Sequence, residues 1–335
     1  MHIFIDESGT FAKPTGDIGI SLVGALIVPE GRKSEIERRY AMLSRGFPRA
    51  NGEVKGKLLN EKQISTVIEM LVRSEVVFEA SAFDTSQEDP DSIKSHQFQS
   101  GLGVTKNLTD DHHPNLRKEA CEVRHQIESL SAPLYLQTLA LLDLVESVIR
   151  NSTLYYCQRR PRELGAFHWV FDAKERNRTT PWERLFSIIV APLLQSRFLR
   201  EPIIHLVEGD YSHFERFRTE RPDWLPSKEA EEVAFDLTRV CRESQTFAFS
   251  FEPGLELVDI VLSGTRRALV GNLGPDGWLR IPRLMIHRPR PYVRFVGVSG
   301  GFTKGHYESI LRQHFSVGGK SMFPGGNAAM REPDR

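Results

Sequence analysis

The chain has 335 residues, of which 40% are hydrophobic and 26% are charged, and its formal net charge is zero. This length and composition allow one large globular domain or two ordinary ones. The balanced charge disfavours a strongly basic protein that coats nucleic acid, although a local basic cleft stays open. The three cysteines, Cys121, Cys157 and Cys241, are too scattered to predict a structural zinc site or a disulfide framework.

The N-terminus and the most apolar stretch of the chain indicate the cellular location that we expect for the protein. No basic stretch followed by a long apolar core opens the sequence, so we expect no signal peptide. The most apolar helical candidate, residues 134–149, is interrupted by Gln137, Asp143 and Glu146. We expect it to be too short and too polar to span a bilayer. The sequence therefore predicts a cytoplasmic protein without a membrane partner, and leaves the oligomeric state open.

The first half of the chain begins with alternating strands and helices and then becomes polar. Asn60 and Gln63 form a variant of the capping box, which predicts that a helix begins there. Residues 84–118 are rich in Asp, Ser, Gln, His and Asn, which predicts a polar insertion or a mobile loop. Strands are predicted at residues 2–6, 18–28 and 76–83, and helices at 31–45, from about 60, and at 118–151.

The second half of the chain continues the alternation. Past residue 275, one or two peripheral strands are expected, followed by a frayed tail rich in Gly, Pro and charge. Alternating strands and helices indicate an α/β sheet with helices on its faces. Strands are predicted at residues 167–172, 202–210 and 247–251, and helices at 181–198, 229–245 and 253–271.

Acidic side chains occur at the ends of predicted strands and within one apolar helix. Asp6 and Glu7 end the first strand, and Asp172 ends the strand FHWVFD. Asp259 lies in ELVDIVLSG, where a buried carboxylate is costly unless it is paired, protonated or bound to a metal. Further acidic candidates are Glu53, Glu208, Asp210 and Glu256.

Each of these acids also has a structural interpretation. Asp259 could pair with Arg266 or Arg267, whereas Asp6 and Asp172 could cap turns. Adjacent strand residues point to opposite faces, so Asp6 and Glu7 cannot both face one site unless a turn at Ser8–Gly9 relaxes the strand.

The combination of acids is more specific than any one of them. Carboxylates from two strands and a helix suit one or two hard cations, Mg²⁺ or Mn²⁺. Lys55, between two glycines in NGEVKGK, could neutralise a phosphate oxygen or pair with one of these carboxylates; it could also be an ordinary exposed lysine.

Three stretches in order, IFIDESG, GEVKG and PGLELVDIVLSG, resemble the domain-of-unknown-function 3800 family, and FHWVFDAKE is similar to the family's strand that ends in Asp. The resemblance spans about residues 1 to 265. It implies a ribonuclease H-like fold and a metal-dependent phosphodiesterase ancestry. The sequence departs from the family pattern Gln-Leu-Ala-Asp, because Glu256 stands in place of the Gln. The resemblance points to Asp6, Glu7, Glu53, Lys55, Asp172 and Asp259.

Together the residues and the resemblance predict a ribonuclease H-like domain at residues 1–270, with the insertion at about 84–118. A C-terminal extension at 271–316 and a flexible tail at 317–335 would follow. The leading hypothesis is a nuclease that uses Mg²⁺ or Mn²⁺ bound by Asp6, Asp172 and Asp259, with a possible role in defence against foreign nucleic acid. The alternatives are a non-catalytic protein that binds nucleic acid or protein, and a hydrolase of a small phosphorylated molecule.

Overall fold

The fold is described from a computed structural model. The description covers residues 1–16, 18–173, 184–220, 234–249, 251–289, 291–299, 305 and 307–324. The strands in this part of the chain are β1 (His2–Ser8), β2 (Ile20–Val28), β3 (Arg49–Ala50), β4 (Glu53–Val54), β5 (Val77–Asp84), β6 (His168–Asp172), β7 (Arg218–Thr219), β8 (Ala234–Phe235), β9 (Gln245–Ala248) and β10 (Val293–Phe295).

Six of these strands form one mixed sheet in the order β10-β5-β2-β1-β6-β9. The first strand lies inside the sheet, antiparallel to β2 on one side and parallel to β6 on the other. β5 runs antiparallel to β2, and β9 runs parallel to β6. The edge strand β10 comes from the segment assigned to the C-terminal extension and pairs in parallel with β5.

Helices cover both faces of the sheet, as the α/β prediction requires. They are α1 (Lys33–Leu43), α2 (Glu61–Val72), α3 (Pro90–Thr105), α4 (Pro114–Ser129), α5 (Ala132–Tyr156), α6 (Ala191–Arg200), α7 (Leu237–Arg242), α8 (Pro253–Leu269), α9 (Pro275–Trp278) and α10 (Glu308–Val317). A π-helix, Phe186–Val190, leads directly into α6.

The two faces of the sheet bury two separate cores, and β1 contributes to both. Ile3 and Ile5 belong to the core that contains α5, whereas Phe4 belongs to the core that contains α8. This is the alternation expected of a strand that is buried on both faces. At Gly254, a side chain would lie 2.3 Å from the ring of Phe4, so the start of α8 packs directly on β1.

Several predicted elements are confirmed. The strands expected at 2–6, 18–28, 76–83 and 167–172 are β1, β2, β5 and β6. The helix expected at 253–271 is α8. At the start of α2, the side chain of Asn60 accepts from the backbone N–H of Gln63, and the side chain of Gln63 accepts from the backbone N–H of Asn60. These two hydrogen bonds form the expected capping box.

Of the two expectations for residues 84–118, a polar insertion or a mobile loop, the mobile loop is wrong, because α3 and the first residues of α4 lie there. The Asp89 side chain accepts from the Ser92 backbone N–H, and Pro90 occupies the first turn, so the start of α3 is well capped. α3 lies on the surface, and most of its side chains are therefore polar. The buried residues of α3 are Ile93, Gln97 and Gly101. A surface helix of this kind has too weak an apolar stripe to be distinguished from a loop by composition.

Three further predictions need correction. Residues 202–210 form no strand. The helix expected at 229–245 is reduced, in the part that is described, to α7, and Ala234–Phe235 form a short strand instead. Of the expected tail, residues 318–324 are ordered against the protein, since Lys320 exchanges backbone hydrogen bonds with Met285 and His287. Residues 325–335 lie outside the described part.

The apolar candidate at 134–149 is part of α5, which has 25 residues. α5 is therefore long and apolar enough to cross a membrane by length and composition, contrary to the expectation that it is too short. However, 67% of its most apolar window is buried inside the protein, which is typical of the core helix of a soluble protein and makes it weak evidence for a membrane span.

Candidate active site

Asp6 and Asp172 lie next to each other at the end of two parallel strands. The last registered pair of β1 and β6 is Ile5 with Phe171, and the next residue of each strand is Asp6 and Asp172. Both aspartates follow by two residues a side chain of the α8 core, Phe4 in β1 and Val170 in β6. Because strand side chains alternate, both carboxylates lie on the face of the sheet that α8 covers.

Asp259 lies on α8, the helix that packs on this face. Its Oδ2 accepts a hydrogen bond of 2.8 Å from the backbone N–H of Gly56. Burial raises the pKa of Asp259 above its usual value, and Glu256 raises it further, whereas the Gly56 N–H and the charges of Lys55 and Lys57 oppose the rise. In the described residues, no lysine or arginine forms a salt bridge with Asp259. It is therefore a partly desolvated carboxylate held by a backbone amide.

Gly56 is required by this contact. A Cβ at this position would lie 2.8 Å from the backbone oxygen of Asp259 and 2.7 Å from the Cβ of Ser263. Any side chain would push the loop away from α8 and break the hydrogen bond from the Gly56 N–H to Asp259. The glycine thus allows the loop after β4 to touch the helix that bears the acid.

Lys55 brings a positive charge to the same place. Its Nζ lies 2.6 Å from Oε2 of Glu53, and both side chains are partly exposed. Burial would lower the pKa of Lys55, but the hydrogen bond and charge of Glu53, together with the charges of Asp259 and Asp172, raise it above its usual value. The ammonium group therefore lies within the electrostatic field of both aspartates, one from the sheet and one from α8.

Glu256 has a different environment from Asp259, although it is only one turn earlier on α8. The residue is 6% exposed, and its two oxygens accept from the Val54 backbone N–H at 2.7 Å and from the Tyr40 hydroxyl at 2.6 Å. Arg49 lies at the edge of this group, with Nη1 3.8 Å from Oε1. The carboxylate fastens β4 and α1 to α8, so its role is structural.

Glu7 lies on the other face of the sheet. It follows by two residues Ile5, which belongs to the α5 core, and the pairing of β1 with β2 stays regular as far as Ser8. Glu7 therefore points away from the face that carries Asp6, as a regular strand requires. Ser8 is on the same face as Asp6 and is half-buried.

Glu208 and Asp210 are not brought to this site. Both are exposed, and Oδ1 of Asp210 accepts from the Ser212 backbone N–H at 2.9 Å, which caps a local turn. The backbone N–H of Asp210 donates to Cys157 at the end of α5. His213 lies beside Gly165, which precedes β6, so this loop is at the opposite end of β6 from Asp172.

The donor set has the chemistry of a hard-cation site, because Asp6, Asp172 and Asp259 all offer carboxylate oxygens. Among the described residues, no group of three His, Cys, Asp or Glu side chains could hold a metal ion, so Asp6, Asp172 and Asp259 do not converge as a three-carboxylate site. Mg²⁺ is commonly held by only one or two carboxylates, with water and substrate phosphate as the other ligands. The carboxylates of Asp6, Asp172 and Asp259 could therefore supply only part of the ligands of Mg²⁺ or Mn²⁺ and not a closed protein cage.

Comparison with known proteins gives no further guide to this site, since no family model, no curated protein and no solved structure matches the chain.

Two features of the site were not predicted from the sequence. One is the backbone N–H of Gly56, for which the only sequence signal is a glycine between two lysines. The other is a pair of exposed aromatic side chains, Phe249 and Phe251, which are 48% and 54% exposed. They follow β9, in which Ala248 is the registered partner of Asp172. The repeated Phe in FAFSF predicts only a strand.

Proposed function

We propose that this protein is a phosphodiesterase that depends on Mg²⁺ or Mn²⁺ and acts on nucleic acid. The observation that carries the proposal is the placement of three carboxylates. Asp6 and Asp172 end adjacent parallel strands on the face covered by α8, and Asp259 lies on that helix next to Lys55. Asp259 has no arginine partner among the described residues, and it lies on the same face of the sheet as two further carboxylates. This arrangement favours a divalent cation, which would balance the negative charge of Asp259.

Each residue has a distinct role in the proposed reaction. Asp6, Asp172 and Asp259 would hold the metal, and the Gly56 N–H would fix the orientation of Asp259. Bound Mg²⁺ or Mn²⁺ supplies Lewis-acid stabilisation of the charge that develops on the phosphate oxygens. Lys55 would exchange its partner Glu53 for a phosphate oxygen when the substrate binds.

The exposed aromatic pair favours nucleic acid over a small phosphorylated molecule. Phe249 and Phe251 lie in the connection between β9 and α8, which joins the neighbour of Asp172 to the helix that carries Asp259. Exposed aromatic rings in this connection are suited to stack on unpaired bases. We therefore expect single-stranded nucleic acid to be a better substrate than duplex.

The strand arrangement supports the ribonuclease H-like assignment that the sequence resemblance implies. The first strand is internal, antiparallel to the second and parallel to the later strand that ends in Asp172. A fold does not imply an activity, so the assignment adds to the proposal only through the carboxylates that it places.

The proposal is tested by metal binding and cleavage with the same preparations. Metal-free protein is titrated with Mn²⁺ by calorimetry, and cleavage of single- and double-stranded DNA and RNA is followed with and without metal. Asp6→Asn, Asp172→Asn and Asp259→Asn should each weaken Mn²⁺ binding and reduce cleavage by about 10²- to 10³-fold, a loss typical of removing one charge-stabilising group.

Glu256→Gln is the matched control, because it removes a carboxylate from the same helix one turn away. It should keep metal binding and cleavage, since Glu256 is occupied by Val54 and Tyr40. Equal cleavage by all the variants would identify a contaminant. Wild-type protein that binds no Mn²⁺ and cleaves nothing would overturn the proposal in favour of a non-catalytic binding protein. Cleavage of a small phosphodiester with no cleavage of nucleic acid would favour a small substrate.

A further inference from the structure

A large cavity lies on the face of the sheet opposite Asp259. Its volume is about 1250 Å³. It is open to solvent on one side and is lined by the α3–α4 pair, by α5 and by the π-helix with α6. α5 contributes Tyr135, Thr138, Leu139 and Leu142, whose spacing of three or four residues places them on one face of the helix. The cavity therefore runs along α5.

The walls of the cavity are mainly apolar. α4 contributes Val123 and Ile127, and the segment from the π-helix into α6 contributes Ile188, Ile189 and Leu193. Ile188 and Leu193 are only half-buried, so part of their surface is not covered by other described residues. A mainly apolar concavity with a few polar groups is the usual form of a binding site for a small organic molecule.

One end of the cavity has polar groups that satisfy one another. Nδ1 of His96 lies 2.6 Å from the Tyr135 hydroxyl, which lies 2.8 Å from the Ser100 hydroxyl. Burial lowers the pKa of His96 below its usual value, although the charge of Glu88 opposes this. A neutral His96 can accept from Tyr135, which in turn accepts from Ser100. Nδ1 of His96 and the hydroxyls of Tyr135 and Ser100 therefore do not require a partner from a ligand.

The other end of the cavity is cationic. Arg197 donates to Glu146, which lies one turn beyond Leu142 on α5 and about 16 Å from Tyr135 at 1.5 Å per residue. Arg200, one turn after Arg197, lines the cavity, is exposed and has no acidic partner among the described residues. The acidic lining residues, Glu119 and Glu122, belong to α4 and face solvent. An anion is therefore best accommodated at the end of α6.

We propose that this cavity binds an amphipathic anion, with a long hydrocarbon chain and a carboxylate head, as a second site of the protein. The chain lies along α5 between α4 and α6, and the carboxylate meets Arg200. The hydroxyl end, whose hydrogen bonds are internally satisfied, receives the end of the hydrocarbon chain. This site is independent of the proposed metal chemistry, because the sheet separates the two.

Gly103 offers a way to fill the cavity without unfolding the protein. It lies in α3 and lines the cavity, and a Cβ there would meet no atom within 4 Å. Gly103→Phe should therefore occupy the ligand's space and also remove a glycine that disfavours the helix. Gly46→Phe is the matched control, because a Cβ at Gly46 also meets nothing within 4 Å and Gly46 is not part of the cavity lining.

The probe is 11-(dansylamino)undecanoic acid, followed by its fluorescence and displaced by dodecanoate or dodecanol. Wild type and Gly46→Phe should bind one probe per chain, and Gly103→Phe should bind it at least about tenfold more weakly. Arg200→Gln should weaken dodecanoate about tenfold, the value of one charge-assisted hydrogen bond, and leave dodecanol unchanged. Leu193→Glu is a second variant that should weaken probe binding, because it places a charged side chain in the apolar wall of the cavity.

Three results would overturn the proposal. The first is the absence of saturable probe binding to the wild type. The second is equal binding by wild type, Gly103→Phe and Leu193→Glu. The third is a dimer, detected by light scattering, that Gly103→Phe disrupts, because a second copy of the chain would then cover the cavity.

Discussion

The two faces of the sheet both bury acidic side chains, but they neutralise them differently. On the α5 face, Glu79 and Asp143 are each paired with an arginine. Glu79 is 1% exposed and bonds to Arg288 at 3.0 Å and to Asn151 at 2.9 Å. On the α8 face, Asp259 is held by the Gly56 N–H, and its nearby cations, Lys55 and Lys57, do not form salt bridges with it.

The difference separates acids that hold the fold from acids that are available for chemistry. A buried carboxylate that is paired with a fixed guanidinium group is already neutralised, so metal binding would stabilise it little. A buried carboxylate that has a raised pKa and no guanidinium partner is stabilised when a cation binds next to it. Position alone does not make the distinction, since Glu256 is more buried than Asp259 and is nevertheless structural, with both of its oxygens occupied by Val54 and Tyr40.

Removing the arginine from the α5 face should give the largest effect on stability. Arg288→Met leaves Glu79 buried beside Asn151 without its cation, and we expect a loss of about 3–5 kcal/mol in the free energy of unfolding. Urea denaturation at pH 7.5 measures this loss. Burial already raises the pKa of Glu79, so the loss should shrink as the pH falls and the carboxyl becomes protonated.

The double variant Glu79→Gln/Arg288→Met is the control for this prediction. Since it removes the unpaired charge, it should recover most of the lost stability. A loss below about 1 kcal/mol in Arg288→Met would mean that Glu79 does not depend on its arginine, and the contrast between the two faces would fail.

His314 provides a third kind of buried ionisable group, one whose ring nitrogens have no hydrogen-bond partner in the described residues. It is 0% exposed, neither ring nitrogen has a hydrogen bond, and its ring lies 5.1 Å from that of Trp278. Burial lowers its pKa from 6.5 to about 4. The unfolded chain therefore binds more protons between these values, and stability should fall as the pH drops from 6.5 towards 4, by up to about 3 kcal/mol.

Urea denaturation at pH 7.5, 5.5 and 4.5, followed by Trp fluorescence, tests this dependence. His314→Leu should remove this part of the pH dependence, whereas His125→Leu, at an exposed position of α4, should keep it. If both variants lose stability with acid to the same extent as the wild type, His314 does not control the acid sensitivity.

Much of the fold follows from local sequence patterns. The mainly apolar run at 18–28 predicts a buried strand, and Asn60 with Gln63 predicts the start of a helix. The errors occur where tertiary contacts override the pattern. The segment 202–210 has the composition of a strand, but Ile204 and Val207 remain exposed and no strand of the sheet pairs with it. The polar α3 is held by caps rather than by an apolar stripe.

The candidate site could be predicted only in part for the same reason. Asp6 and Asp172 are visible in sequence because each ends an apolar strand, and Asp259 is visible because it interrupts an apolar helix. The pairing of Ile5 with Phe171, which places Asp6 beside Asp172, is a long-range fact of register. The roles of Glu256 and Gly56 depend on which loop contacts α8. No local sequence pattern predicts this contact, because the residues concerned are far apart in the chain.

Removing the charge of Asp259 should give the smallest effect on stability and so sharpen the contrast between the faces. In Asp259→Asn the amide oxygen can still accept from the Gly56 N–H, and the cost of burying a charge disappears. We expect the free energy of unfolding in EDTA to stay within about 1 kcal/mol of the wild-type value.

Added Mn²⁺ should then raise the unfolding temperature of the wild type but not of Asp259→Asn, because a ligand stabilises only the state that binds it. A loss of 3 kcal/mol or more, comparable to that expected for Arg288→Met, would place Asp259 among the structural acids and remove the basis for assigning it to the metal.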